Sequence, residues 1–250
     1  INGTVVMQTF GQGQHVGVLE FDVTADGMQF AGGRLEAVNA DRLAPDAAVS
    51  ARLAEYRSHH ADLYAAIGQT AAPLTRRYYD ESTLGNALAD IVRDAVDAQV
   101  GLMPSGALRR DLPQGAVRRV DLLDAFPFQD RVARIELSGD VLARVLEQGL
   151  SLERGLLQVS GLEIEYDPAR PSGARLVSVR VDGAPLDPNA VYTVGKLEIL
   201  AAGGDLFTQF SDAATNELLP LSFAEALLRA FETRELVAVP EVGRYRVVSD

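Results

Sequence analysis

Cysteine is absent from the 250-residue chain, which excludes disulfides, thiolate nucleophiles and zinc-thiolate sites. Histidine is scarce, with only His15, His59 and His60. The adjacent pair on a helical stretch would point about 100° apart, unlike the same-face pair of a zinc-binding helix. No metal centre can be assembled from these residues. Apolar runs are short, and none reaches the roughly 18 residues that span a bilayer. Basic charge is also in deficit. The 23 basic residues, 22 arginines and the single Lys196, are outnumbered by 35 acidic ones, for a net charge of −12. That balance repels polyanions, which excludes non-specific binding of polymeric nucleic acid or of anionic membranes. The preference for arginine over lysine reads as a GC-rich coding bias before it reads as anion chemistry.

What is present is ordinary soluble-protein composition, 47% hydrophobic and 23% charged residues. A chain of this length can bury one large core and carry an appendage. The sequence starts at Ile1 without an initiator methionine or a signal-type apolar segment, and reads as a piece whose upstream part is missing.

Two strand-like runs, Thr4 to Gln8 and Val16 to Val23, flank Gly11-Gln12-Gly13 and predict a hairpin, with Leu19, Phe21 and Val23 on a buried face and a further turn at Gly27. Val49, Leu53, Tyr56, Leu63 and Ile67 recur at helical spacing, predicting an amphipathic linker helix from Asp46 to about Ile67. A second helix is expected after Ser82 or Thr83 as cap, followed by a buried strand from Val100 to Met103 and a polar loop from Pro104 to Asp111. A third helix opens at Ser138-Gly139-Asp140. Strands are expected at 156–166, 175–181 and 191–195, with Asp182-Gly183 as a hairpin-type turn. Ser222-Phe223-Ala224-Glu225 is a capping box that starts the last helix. Helices and strands interleave with hairpin turns instead of regular βαβ units. The expected class is therefore α+β, a mixed sheet with flanking helices plus an N-terminal hairpin and linker helix.

Eight short stretches then occur in a recognisable order. They are Glu81-Ser82-Thr83-Leu84-Gly85-Asn86-Ala87-Leu88-Ala89-Asp90, Ser105-Gly106-Ala107-Leu108-Arg109, Pro127-Phe128-Gln129-Asp130, Leu137-Ser138-Gly139, Gln158-Val159-Ser160-Gly161, Tyr166-Asp167-Pro168, Tyr192-Thr193-Val194 and Ala202-Gly203-Gly204-Asp205. Together they resemble the C-terminal, substrate-specificity domain of the 5′-nucleotidases and of related UDP-sugar hydrolases and cyclic-nucleotide phosphodiesterases. Residues 1–40 resemble the closing strands of that family's metallophosphatase domain. The resemblance thus implies three parts: those strands, a linker over 41–75, and a substrate-binding domain over 76–250.

It implies further that the intact protein is a phosphoric ester hydrolase of nucleotides or related small phosphoesters, acting in the periplasm or outside the cell. Its two divalent metal ions would sit in an upstream domain of the same polypeptide, and this chain would hold no cofactor. Carried over by position, Arg109 becomes a substrate-binding arginine, Phe128 the ring that stacks on a base, and Asp205 an acid of the pocket. Gly203, Gly204, Asp130, Ser105 and Gly106 belong to the same loops. The chemistry agrees: a guanidinium is a planar fork for phosphate oxygens, and an aromatic face stacks on any base.

The chain also departs from the pattern. Pro104 stands where asparagine is usual, Ala107 replaces a glycine, and Ile199 occupies the place of a second stacking aromatic, for which Phe207 is the nearest substitute. These departures keep open a binding module without nucleotide recognition, or a relative acting on a non-nucleotide substrate such as a sulfur compound. Arg76, Arg77 and the better-aligned Tyr78 lie near another substrate position, while Gly85 and Asn86 read as packing and capping residues.

Overall fold

The computed structural model describes residues 3–248 apart from Phe10, Gln12, Ala40, Ala202 and Glu235; Ile1, Gln12 and Ala202, quoted above, lie outside the described residues. The chain divides into two compact units, residues 1–60 and 61–250.

The first unit is a hairpin and a helix. Strands β1 (His15–Thr24) and β2 (Gly27–Ala37) pair antiparallel around the turn at Gly27. The expected partner of β1, Thr4 to Gln8, forms no strand, because three successive apolar runs satisfy the same alternation and the tight turn decides which two of them pair. Helix α1 (Ala47–His59) starts where the Asp46 carboxylate accepts a hydrogen bond from Val49 N at 2.9 Å. No described residue between Gly3 and His60 is buried. Phe21 and Val23, expected on a buried face, are exposed, as are Val49, Leu53 and Tyr56 of α1.

The helix also ends earlier than its periodicity predicts. Ala61–Tyr64 is a short 3-10 turn, and Ile67 falls in β3 (Ala66–Thr70), which pairs antiparallel with β5 (Gly115–Arg118). Cross-strand pairing over-rides local helical spacing there.

In the second unit α2 (Thr83–Ala95) begins at the Ser82 cap, with Ser82 Oγ accepting from Gly85 N at 3.1 Å. There follow β4 (Val100–Pro104), α3 (Arg119–Ala125), β6 (Arg131–Ser138) and α4 (Gly139–Leu150). Four more strands come next, β7 (Leu157–Ser160), β8 (Leu162–Tyr166), β9 (Leu176–Val181) and β10 (Ala184–Pro185). The chain closes with β11 (Val191–Leu197), α5 (Glu198–Ala201), β12 (Thr215–Ser222), α6 (Phe223–Glu232) and β13 (Tyr245–Val247).

The central sheet has the order β12-β6-β11-β4-β7; β11 and β4 run parallel and the other neighbours antiparallel. A smaller sheet has the order β10-β9-β8-β13. The run expected as one strand over 156–166 is split at Gly161, whose φ of 73° hands the chain from the central sheet to the smaller one. Asp182 and Gly183, both at positive φ, make a tight turn as expected, but it joins β9 to the short β10 and not to the 191–197 strand, β11, which lies in the central sheet.

The central sheet is buried on both sides, so β4 reads as a continuous apolar run. On one side α2, α3 and α6 pack through Leu84, Leu88, Leu122, Phe223 and Leu227, with Met103 of β4 beneath them. On the other, α4 and the smaller sheet enclose Val100, Leu102, Val145, Ile164 and Val181. The fold is the α+β arrangement expected, a mixed sheet flanked by helices.

Candidate functional site

Three loops from the ends of these elements meet at one open cleft of about 320 Å³. The first loop leaves β4 at Pro104, makes a 3-10 turn over Ser105–Ala107 and arrives at Arg109, whose backbone N–H donates to Ala125 O at 2.8 Å. That bond ties the arginine to the end of α3. The second loop follows α3. Phe126 is anchored in the core against Phe223, and Phe128 stands on it edge-to-face, with centroids 5.5 Å apart. Phe128 is therefore half-buried, held by Phe126, and the Arg109 guanidinium carbon lies over its ring, 5.2 Å from the ring centre.

The third loop carries Gly203, Gly204 and Asp205. Gly203, Asp205 and Leu206 all adopt positive φ, at 78°, 53° and 71°. For the two non-glycines this costs on the order of 1–3 kcal/mol each, and Phe207 and Phe210, buried next in sequence, hold the loop in place. Gly204 has no room for a side chain, since a Cβ would lie 2.5 Å from Ile199 O. The loop thus presses on Ile199 and turns Asp205 into the cleft.

Of the residues singled out in the sequence, Arg109, Phe128, Asp205, Asp130 and Gly106 line this cleft. Asp130 is half-buried, and that burial raises its carboxyl above the ordinary value; Glu198 pushes the same way, and the Ile199 backbone N–H opposes. Ser105 is placed elsewhere. It is buried, donating to Leu156 O at 2.5 Å and accepting from Gln158 Nε2 at 2.8 Å, because a 3-10 turn directs its successive side chains to different sides. Gly203 and Gly204 shape the third loop without lining the cleft. Phe207 does not substitute for a second aromatic: it is buried, 4% exposed. Arg76 and Arg77 are turned to Asp111 and Asp80.

Sequence reasoning passed over Arg154 altogether and placed Tyr78 only near another substrate position; both line the cleft, as does Ile199. Arg76, Arg77 and Arg110, which do not line the cleft, each pair with a carboxylate. Arg109 and Arg154 have no carboxylate partner among the described residues, which leaves two guanidiniums in the cleft for an anionic ligand. The two metal ions implied by the resemblance do not fit this chain: among the described residues no group of three His, Asp or Glu side chains could hold one. Among the described residues no helix is long and apolar enough to cross a membrane.

Residues 66–212 match the profile of the 5′-nucleotidase C-terminal domain. The chain belongs to that family. It is similar to the apyrase of Aedes albopictus, 32% identical over 174 residues that cover 62% of this chain and 31% of that protein. It is likewise similar to the apyrase of Tabanus yao, 28% identical over 60% of this chain and 30% of that one. Among solved structures, the 5′-nucleotidase precursor of Thermus thermophilus superposes with a TM-score of 0.83 at 27% identity, over 95% of this chain and 50% of its own. The sulfate thiohydrolase SoxB of the same organism shares the fold, with a TM-score of 0.72 at 21% identity over 94% of this chain and 45% of its own. The chain thus spans half or less of the length of each.

Proposed function

We propose that residues 61–250 bind a small phosphorylated ligand, a nucleotide in the first place, and present it to a metallophosphoesterase domain in the same polypeptide. This chain by itself would then bind without hydrolysing. The observation that supports the reading is the meeting of Arg109, Phe128 and Asp205, from loops distant in sequence, in one open cleft. In this reading Arg109 donates to phosphate oxygens, the Phe128 ring stacks on the base, and the Asp205 carboxylate accepts from ligand hydroxyl or N–H groups. Family membership and the nucleotidase and apyrase relatives support the ligand class. They also support a periplasmic or extracellular location for the intact protein, which fractionation would test.

A second reading, a non-nucleotide ligand on the same scaffold, draws on Ile199, an aliphatic, 45% exposed wall where an aromatic was expected. Calorimetric titration of the chain with AMP, with and without Arg109→Ala, separates the two. Saturable binding that the variant weakens at least tenfold is expected. No binding of AMP would favour the second reading, and hydrolysis of AMP by this chain alone would overturn the division of labour.

A further inference from the structure

The cleft lacks an aromatic ring at position 199 yet has one that the binding motifs do not account for. Tyr78 lies in the loop before α2, and its ring lines the cleft at 38% exposure. It is unusually well fixed for a loop side chain. Its carbonyl accepts from Leu156 N at 2.8 Å. Its ring lies against Gly155, which sits at φ 83° and where a Cβ would come within 3.1 Å of the ring carbon bearing the hydroxyl. Tyr79 braces it edge-on, with centroids 4.8 Å apart at 89°. On the open side, a Cβ placed on Gly106 would be 3.8 Å from Tyr78 Cε2 and 4.0 Å from Asp205 Oδ2, so ring edge and carboxylate flank the same glycine.

A partly exposed ring held by a glycine-only turn, in the same cleft as Phe128, can supply a second stacking surface. Ordering it on binding costs little, because its rotamer is set by packing. Resting on the nucleotide reading above, we propose that Tyr78 is a specificity-determining residue of this cleft, supplying the second aromatic face for the base that Ile199 does not.

The test is calorimetry of the full chain with two probes, AMP and ribose 5-phosphate, which shares the phosphate and sugar but has no base. Tyr78→Leu keeps bulk and removes the π-face; Tyr78→Phe keeps the face and removes the hydroxyl. The expected result is a loss of about tenfold in AMP affinity for the leucine variant, equivalent to roughly 1.4 kcal/mol, with ribose 5-phosphate unchanged and the phenylalanine variant close to wild type. Thermal melting checks that the variants are folded; should Tyr78→Leu unfold, unaltered AMP binding by Tyr78→Phe supports a stacking role and a large loss overturns it. Unaltered AMP binding by a folded Tyr78→Leu variant, alongside a loss in Phe128→Ala, would overturn the role of Tyr78 and leave the nucleotide reading standing. Equal loss for both probes would also overturn it, since a stack acts only on the base. Failure of the wild-type chain to bind AMP would overturn both.

Discussion

Two neighbouring regions of the second unit solve the problem of polar side chains in opposite ways. Behind the cleft, Gln158 is fully buried and fully engaged. Its Oε1 accepts from Ser82 N at 3.0 Å, and its Nε2 donates to Asp80 O at 2.9 Å and to Ser105 Oγ at 2.8 Å. It ties the start of α2 to the end of β4. Beneath the Gly-Gly-Asp loop, Lys196 is equally buried, but among the described residues its Nζ reaches only Leu197 O, at 3.5 Å, and the Phe210 ring, at 5.3 Å from its centre. Burial pushes its amine down to about 8. The first region is built for rigidity. The second tolerates an under-satisfied charge next to a loop that also holds two non-glycine residues at positive φ. Stability is concentrated behind the cleft and given up along the loop that carries Asp205.

The largest expected effect breaks the first region. Gln158→Leu conserves volume and removes every one of these hydrogen bonds, leaving several buried partners unmatched at about 1–3 kcal/mol for each such group. A loss of about 3 kcal/mol in unfolding free energy is expected from urea denaturation. Affinity for AMP in the fraction that remains folded should not change, because Gln158 is not in the cleft.

Lys196→Met should act with the opposite sign. Replacing a poorly paired buried charge by an apolar chain of similar length stabilises, here by about 2 kcal/mol at neutral pH. The pH dependence identifies the cause. The folded-state amine, near 8, lies below the unfolded lysine value of about 10.4, so between these limits the unfolded chain binds more protons and wild-type stability rises with pH. The methionine variant lacks that rise, so its advantage should shrink from pH 8 to pH 10 in melts followed across the range.

Phe128→Ala tests the cleft side. Affinity for AMP should fall by about 1.5 kcal/mol, the middle of the range for a lost base–aromatic stack. The fold should be weakened less than by the Gln158 change, because Phe128 is half-buried and Phe126 beneath it supplies the core contact.

The same contrast explains what the sequence made legible. Arg109, Phe128 and Asp205 could be singled out because each belongs to a short motif whose order resembles a known domain, and the structure brings the three to one cleft; helix starts at Ser82, Ser138 and Ser222 could be found because a cap is a local signal. Ser105 was drawn into the site by the same motif, although it serves the Gln158 network; a motif records which residues recur together and not which side of the chain each faces. Arg154 carries no motif, and Tyr78 becomes a cleft residue only through Leu156 and Gly155, distant in sequence. The end of α1 and the split at Gly161 were missed because strand pairing, a long-range effect, over-rode the local pattern.

The smallest expected effect concerns two carboxylates on either side of that divide. Asp121 caps α3: the hydrogen bond from the Arg118 side chain, together with the Arg118 backbone N–H at 2.9 Å, holds its carboxyl below the ordinary range. Asp130, in the cleft, is raised, first by burial and then by Glu198. The signs follow from which state binds the proton more tightly. For Asp121 the folded state releases it more readily, so its stabilising contribution is present above the unfolded value of about 3.9 and is lost as pH falls through the depressed folded value. For Asp130 the folded state holds it more tightly, so stability falls as pH rises from about 3.9 through the raised value. Asp121→Asn should therefore lower the melting temperature at pH 7, and Asp130→Asn should raise it slightly, by well under about 1 kcal/mol given the exposure of the group. Both differences should vanish in acid. Asp130→Asn should also bind AMP more tightly at pH 7, by removing a negative charge that faces the same cleft as Arg109; weaker binding would assign Asp130 to direct contact with the ligand.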